Sequence, residues 1–96
     1  MKAVIAWWDP PCDVAALRAS LDEEAWAAVP GLVAKFWISS PDGKWGAVMV
    51  FESADAARQA LPPNRSAELI GRPASVRHAF DVEALVTATA GERARL

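Results

Sequence analysis

Two apolar runs, Leu32 to Ser39 and Trp45 to Phe51, flank the tetrapeptide Pro41-Asp42-Gly43-Lys44. β-Branched and aromatic residues around an Asp-Gly turn signal predict a β-hairpin, and a hairpin this apolar commits the chain to a sheet that must be covered. Pairing centred on Asp42-Gly43 sets Ser39 opposite Gly46, Trp37 opposite Val48 and Lys35 opposite Val50. Because side chains alternate, these residues share one face, and Phe36 joins Met49 and Phe51 on the other. Lys35 is then a lone charge on an apolar surface.

The remaining elements follow from breakers and caps. Lys2 to Trp8 reads as a strand stopped by Asp9-Pro10-Pro11. Asp13 is placed to cap a helix whose stripe is Val14, Leu17, Leu21, Ala25 and Ala28, running to Pro30-Gly31. Ser53 caps a second helix through Leu61, before Pro62-Pro63, and Asn64 or Ser66 starts a helical turn closed by Gly71. Ala74 to Val82 is the fourth strand. The order is strand, helix, strand, strand, helix, strand, which predicts an α+β fold: a ferredoxin-like βαββαβ sandwich with an antiparallel four-stranded sheet. It occupies residues 1–82, and 83–96 form a C-terminal tail or arm.

Two helices cover one face of such a sheet, and the other face should alternate apolar with polar residues if water meets it. The first strand is apolar on both sides (Val4, Ala6 and Trp8; Ile5 and Trp7), and so is the third (Ala47, Met49 and Phe51; Val48 and Val50). A face of that kind exceeds what monomers leave exposed, so a homodimer with packed sheets is expected. At 96 residues the chain is one domain with a marginal core, which a partner would reinforce. The net charge of −2, with signs interspersed, gives no footprint for nucleic acid or an anionic membrane surface. One cysteine, Cys12, and the lack of a signal-peptide pattern or membrane-length apolar run point to a cytoplasmic protein.

The stretch GKWGAVMVFESADAARQAL resembles the third strand and second helix of RNA-recognition motif domains. The positions that stack bases in that family are Gly46 and Val48 here, which have no ring to offer. A wider resemblance runs over PGLVAKFWISSPDGKWGAVMVFES (Pro30 to Ser53) and the later FDV at Phe80 to Val82. Through Pro30-Gly31, Lys35-x-Trp37, Gly46, Phe51 and Phe80-Asp81 the chain resembles the YdhR-type monooxygenases of the dimeric α+β barrel superfamily. The resemblance implies a homodimer that oxygenates an aromatic or polyketide-like small molecule without flavin, haem or metal.

Candidate site residues follow from both lines of argument. His78, the only histidine, is the natural base to deprotonate a phenol or enol, and alternation puts it with Val76 and Phe80, opposite Arg77 and Asp81. Trp7, Trp8, Trp26, Phe36, Met49 and Phe51 are candidate walls for a flat ligand, with Trp37 and Trp45 as further aromatic candidates. Lys35, Trp37, Val48, Val50 and Asp81 are assigned to the dimer interface or the site. A buried Lys35 needs a carboxylate, and the resemblance offers Asp81. No metal-ligand spacing, phosphate loop or serine triad is present, and no cofactor is expected. An oxygenase, a non-catalytic ligand-binding or regulatory dimer, and an isomerase or cyclase all remain open, since each needs an apolar cavity with one proton-transfer group.

Overall fold

The structure, a computed structural model, describes residues 1–88. It is a small α+β fold whose four strands, β1 (Lys2–Trp8), β2 (Leu32–Ser39), β3 (Trp45–Phe51) and β4 (Val76–Asp81), form one antiparallel sheet. The order across the sheet is β2-β3-β1-β4, an arrangement consistent with a ferredoxin-like fold. Four short helices lie between strands: α1 (Val14–Ala19), α2 (Glu23–Ala27), α3 (Ala54–Arg58) and α4 (Arg65–Ile70). No helix among the described residues is long and apolar enough to cross a membrane. Residues 82–88 carry no regular structure, and the rest of the expected tail lies outside the described residues.

The hairpin forms where expected, but its register differs by one residue. Ser39 pairs with Trp45, Trp37 with Ala47, Phe36 with Val48 and Lys35 with Met49. The cause is proline chemistry. Pro41, with its preset φ, takes the first central position of a turn closed by the Gly43 N–H donating to the Ser40 carbonyl at 3.0 Å. Gly43 follows in the left-handed region at φ +92°, and the Ser40 N–H donates to the Lys44 carbonyl at 3.1 Å. The loop therefore holds three residues, Pro41 to Gly43, rather than two. Asp42 accepts hydrogen bonds from Ser40 Oγ and Lys44 Nζ, and both, the lysine foremost, hold its carboxyl below the usual range.

One residue of slip exchanges the faces of β2 while leaving β3 as expected. Lys35 and Trp37 now share the helix-covered face with Trp45, Ala47 and Met49. Phe36 moves to the open face beside Val48 and Val50, where it is 49% exposed. A further irregularity between Leu32 and Ala34 returns Leu32 to the face of Phe51.

The single long helix expected after Asp13 is two helices. Asp13 caps α1 by accepting from the Ala16 N–H, as its chemistry predicts. At the other end the Leu17 carbonyl accepts from both the N–H and the hydroxyl of Ser20, so it does not continue the helical ladder, and α1 stops there. The helix capped by Ser53 ends at Arg58 rather than Leu61, because the Gln59 side chain donates to the Ala56 carbonyl and Pro62 disfavours helix at Leu61. Asn64, not Ser66, is the cap of α4, and Gly71 closes it in the left-handed region.

Packing concentrates on tryptophan. Trp8, Leu17 and Trp45 form the buried cluster beneath α1 and α4, while Val4, Trp26 and Phe51 are buried beside it. Both indole nitrogens of the cluster are satisfied: Trp8 Nε1 donates to the Arg72 carbonyl at 2.8 Å, and Trp45 Nε1 to Ser66 Oγ at 2.9 Å. That bond accounts for Ser66 as the buried polar residue. Gly46 pairs with Trp7 where the strands approach closely, and an added Cβ would collide with the Ala6 carbonyl oxygen and lie 2.7 Å from the Trp7 Cβ. In an unstrained strand Gly→Ala is mildly favourable, but here backbone must move. Gly46→Ala is expected to lower stability by about 1 to 3 kcal/mol in urea unfolding, and an unchanged midpoint would refute the close approach.

Candidate functional site

A cavity of about 210 Å³ lies between the helix-covered face and the segment leading into α4. Its floor follows from one row of the sheet. Trp37, Ala47, Ala6 and Arg77 stand side by side on β2, β3, β1 and β4, so two methyl groups occupy the centre with large side chains at each end. Small residues there leave unfilled volume that Leu or Phe would occupy. Trp8, Trp26 and Trp45 contribute walls, Met49 adds floor, and Pro62 and Asn64 form part of the rim.

Lys35 enters this space from β2. Its ammonium stands 3.2 Å from the centroid of Trp26 and 4.8 Å from that of Trp37, so two indole faces take the place of a carboxylate. Burial pushes its pKa down from 10.5 to about 8. Trp26 reaches it because α2 is held over β2. Asp22, at the N-cap position of α2, makes no side-chain cap and instead meets Arg65 Nε of α4 at 3.5 Å, tying the two helix starts together above the lysine.

The expected site residues divide between the two faces of the sheet. Trp8, Trp26, Lys35, Trp37 and Met49 line the cavity. Phe51 lies on the same face but is buried in the core away from it. Trp7, Phe36, Val48, Val50 and His78 belong to the open face, by register. There the His78 ring stands 6.5 Å from Trp7 and 5.9 Å from Phe80. The alternation expected for β4 holds, and it puts His78 on the open face, across the sheet from the cavity. The pair expected between Lys35 and Asp81 does not form within the chain. Asp81 is on β4, across β3 and β1 from Lys35, and makes its ion pair with Lys2, which holds its carboxyl below the usual range.

Arg77, Ser66, Ala6 and Ala47 are among the cavity residues that the sequence does not single out as site candidates. Alternation placed Arg77 opposite His78, so its face was readable once the covered face of β4 was known. The two alanines gave no signal, since a gap in packing is a property of neighbours rather than of a residue. Among the described residues no cluster of His, Cys, Asp and Glu is arranged to hold a metal ion. Neither a family model nor a curated protein matches the chain.

The lysine supplies a test of this geometry. Its native pKa of about 8 lies below the 10.5 of an unperturbed lysine, so between these values the unfolded chain holds a proton that the folded chain has released. Stability of the wild type should therefore rise from pH 8 toward 10.5 relative to Lys35→Met, by a modest amount because the side chain is only half-buried. Urea unfolding of both proteins at pH 7.5, 9 and 10 measures this, and parallel curves would place Lys35 in water.

Proposed function

We propose that the chain binds a planar, electron-rich aromatic molecule in the tryptophan-lined cavity and acts on it as a cofactor-independent monooxygenase. The observation that carries the reading is the cavity itself, where four indoles surround a lysine without a carboxylate partner among the described residues. A volume of about 210 Å³ falls below the range of about 300 to 1,000 Å³ typical of ligand sites, which favours one or two fused rings over a larger polyketide. Indole faces stack on such a ring. The indole N–H groups of Trp26 and Trp37 make no hydrogen bond among the described residues and serve as donors for ring oxygens.

In this reading Lys35 replaces His78 as the group governing proton loss. Its ammonium, poorly solvated, stabilises a phenolate and so lowers the pKa of a bound phenol, the proton passing to water. The phenolate is electron-rich enough to reduce dioxygen. For 1-naphthol the balanced reaction is one O₂ consumed, with one oxygen atom entering the ring as the second carbonyl of 1,4-naphthoquinone. The other leaves as water with the two displaced hydrogens. The resemblance to YdhR-type proteins supports this class of chemistry, and the single cysteine suits a cytoplasmic setting.

Oxygen uptake with 1-naphthol and related bicyclic phenols should equal quinone formed, stop under anaerobic conditions, and disappear in Ala47→Leu, whose side chain fills the floor. Binding by tryptophan quenching without oxygen uptake would make the chain a ligand-binding dimer instead. Product formed anaerobically would make it an isomerase or cyclase.

Assembly is the second part of the proposal: a homodimer of dimeric α+β barrel type, with open sheet faces packed together. By register that face carries Ala3, Ile5, Trp7, Phe36, Ile38 and Phe80 among its members, and His78 is its one titratable side chain. Phe36 and Phe80 are 49% and 54% exposed in the single chain, an arrangement water disfavours. Sedimentation at micromolar concentration should give a dimer. Phe36→Glu should dissociate it without unfolding the chain, because the residue is exposed in the monomer and a carboxylate is penalised only when the faces close. A wild-type monomer would overturn the proposal.

A further inference from the structure

We infer that the cavity takes an aromatic acid, its carboxylate held by Arg77 and a phenolic oxygen at the far end of the ring held by Lys35. This rests on the ligand-binding reading of the same cavity and adds the charge and the polarity of what it binds. Arg77 and Lys35 enter from β4 and β2, the two edges of the sheet, with the alanine floor between them. Three strand spacings, about 14 Å across the sheet, separate the two edge strands, and both side chains line the same cavity, so a ring lying over the alanine floor has a cation toward each end.

Charge supports the assignment. The residues lining the cavity include Lys35 and Arg77 but no Asp or Glu, so the lining carries two positive charges in a chain whose net charge is −2. The ion pairs among the described residues join Lys2 to Asp81, Lys44 to Asp42, Arg58 to Asp55 and Arg65 to Asp22. Neither cavity cation takes part. Asp22, at the N-cap position of α2, is engaged by Arg65. An arginine fork matches a carboxylate in two parallel hydrogen bonds, whereas a lysine offers a compact charge to a single oxygen, so the two ends are chemically distinct.

The test compares 6-hydroxy-2-naphthoate with 6-hydroxy-2-naphthamide at pH 7, by calorimetry and tryptophan quenching. The two differ in charge but hardly in shape. The acid should bind about 10- to 100-fold tighter, the range expected of one charge-assisted contact. Arg77→Gln should abolish that preference, bringing the acid's affinity down to that of the amide. Lys35→Met should weaken both ligands. Equal binding of acid and amide would overturn this inference while leaving the cavity as a site for neutral aromatics. A preference that survives Arg77→Gln would remove the arginine from the assignment. Failure of both ligands to bind would overturn the inference together with the reading on which it rests.

Discussion

The Ser40-to-Lys44 loop decides what this molecule can do, because its length fixes which side of the sheet receives Lys35 and Trp37. With three loop residues those side chains face the helices and meet Trp26; with two they would face out, and the cavity would lose its cation and one wall. Pro41 and Gly43 favour the longer form through their backbone preferences, one by a preset φ and the other by access to the left-handed region, and Asp42 ties it through Ser40 and Lys44. The arrangement of the cavity is thus set by a surface turn that begins at Pro41, beyond the end of the strand that carries the lysine. Burial reinforces the choice, since the other register would place an ammonium on a face that is otherwise nearly free of charge.

The same loop explains what was legible in the sequence. Asn64 is one of two caps the sequence offers for α4, whereas strand positions, the caps at Asp13 and Ser53, and the alternation along β1, β3 and β4 follow from local chemistry, and the structure has them. The phase of β2 does not, because Pro-Asp-Gly is compatible with two loop lengths of opposite parity. The break of the first helix at Ser20 depends on a hydroxyl choosing the Leu17 carbonyl, a competition that an apolar stripe does not reveal. At the site the tryptophans were visible as a class, and their division between core, cavity and open face was not. A histidine attracts attention by residue type alone, whereas the lowered pKa of Lys35 comes from its place in the cavity. Perturbation comes from burial, and burial is a property of the fold.

Lys35 also shows why a charge persists in so apolar a segment. A buried ammonium normally demands a carboxylate, yet pairing here would neutralise the positive character of the cavity. Two indole faces offer a weaker compensation, about 0.5 to 2 kcal/mol, that leaves the charge unspent. Trp26 and Trp37 are therefore both packing and counter-charge. Their arrangement keeps the lysine partly desolvated and open to an anion, whereas Lys2 and Lys44, paired with Asp81 and Asp42 at the surface, are already satisfied.

A chain of this size has little stability to divide between a cavity and a free sheet face. Keeping alanine at positions 6 and 47 forgoes the burial that larger side chains would contribute, at about 25 cal/mol per Å² of apolar surface. The open face forgoes more while it remains in water. Pairing two such faces would recover the second loss without touching the first, because the cavity lies on the opposite side of the sheet. The proposed dimerisation and ligand binding would then draw on separate faces of one four-stranded sheet, joined through the alternation of side chains along each strand. Trp7 and Trp8, adjacent in β1, make the point: one faces the proposed partner and the other walls the cavity, so a shift of that strand on assembly would be felt in both places.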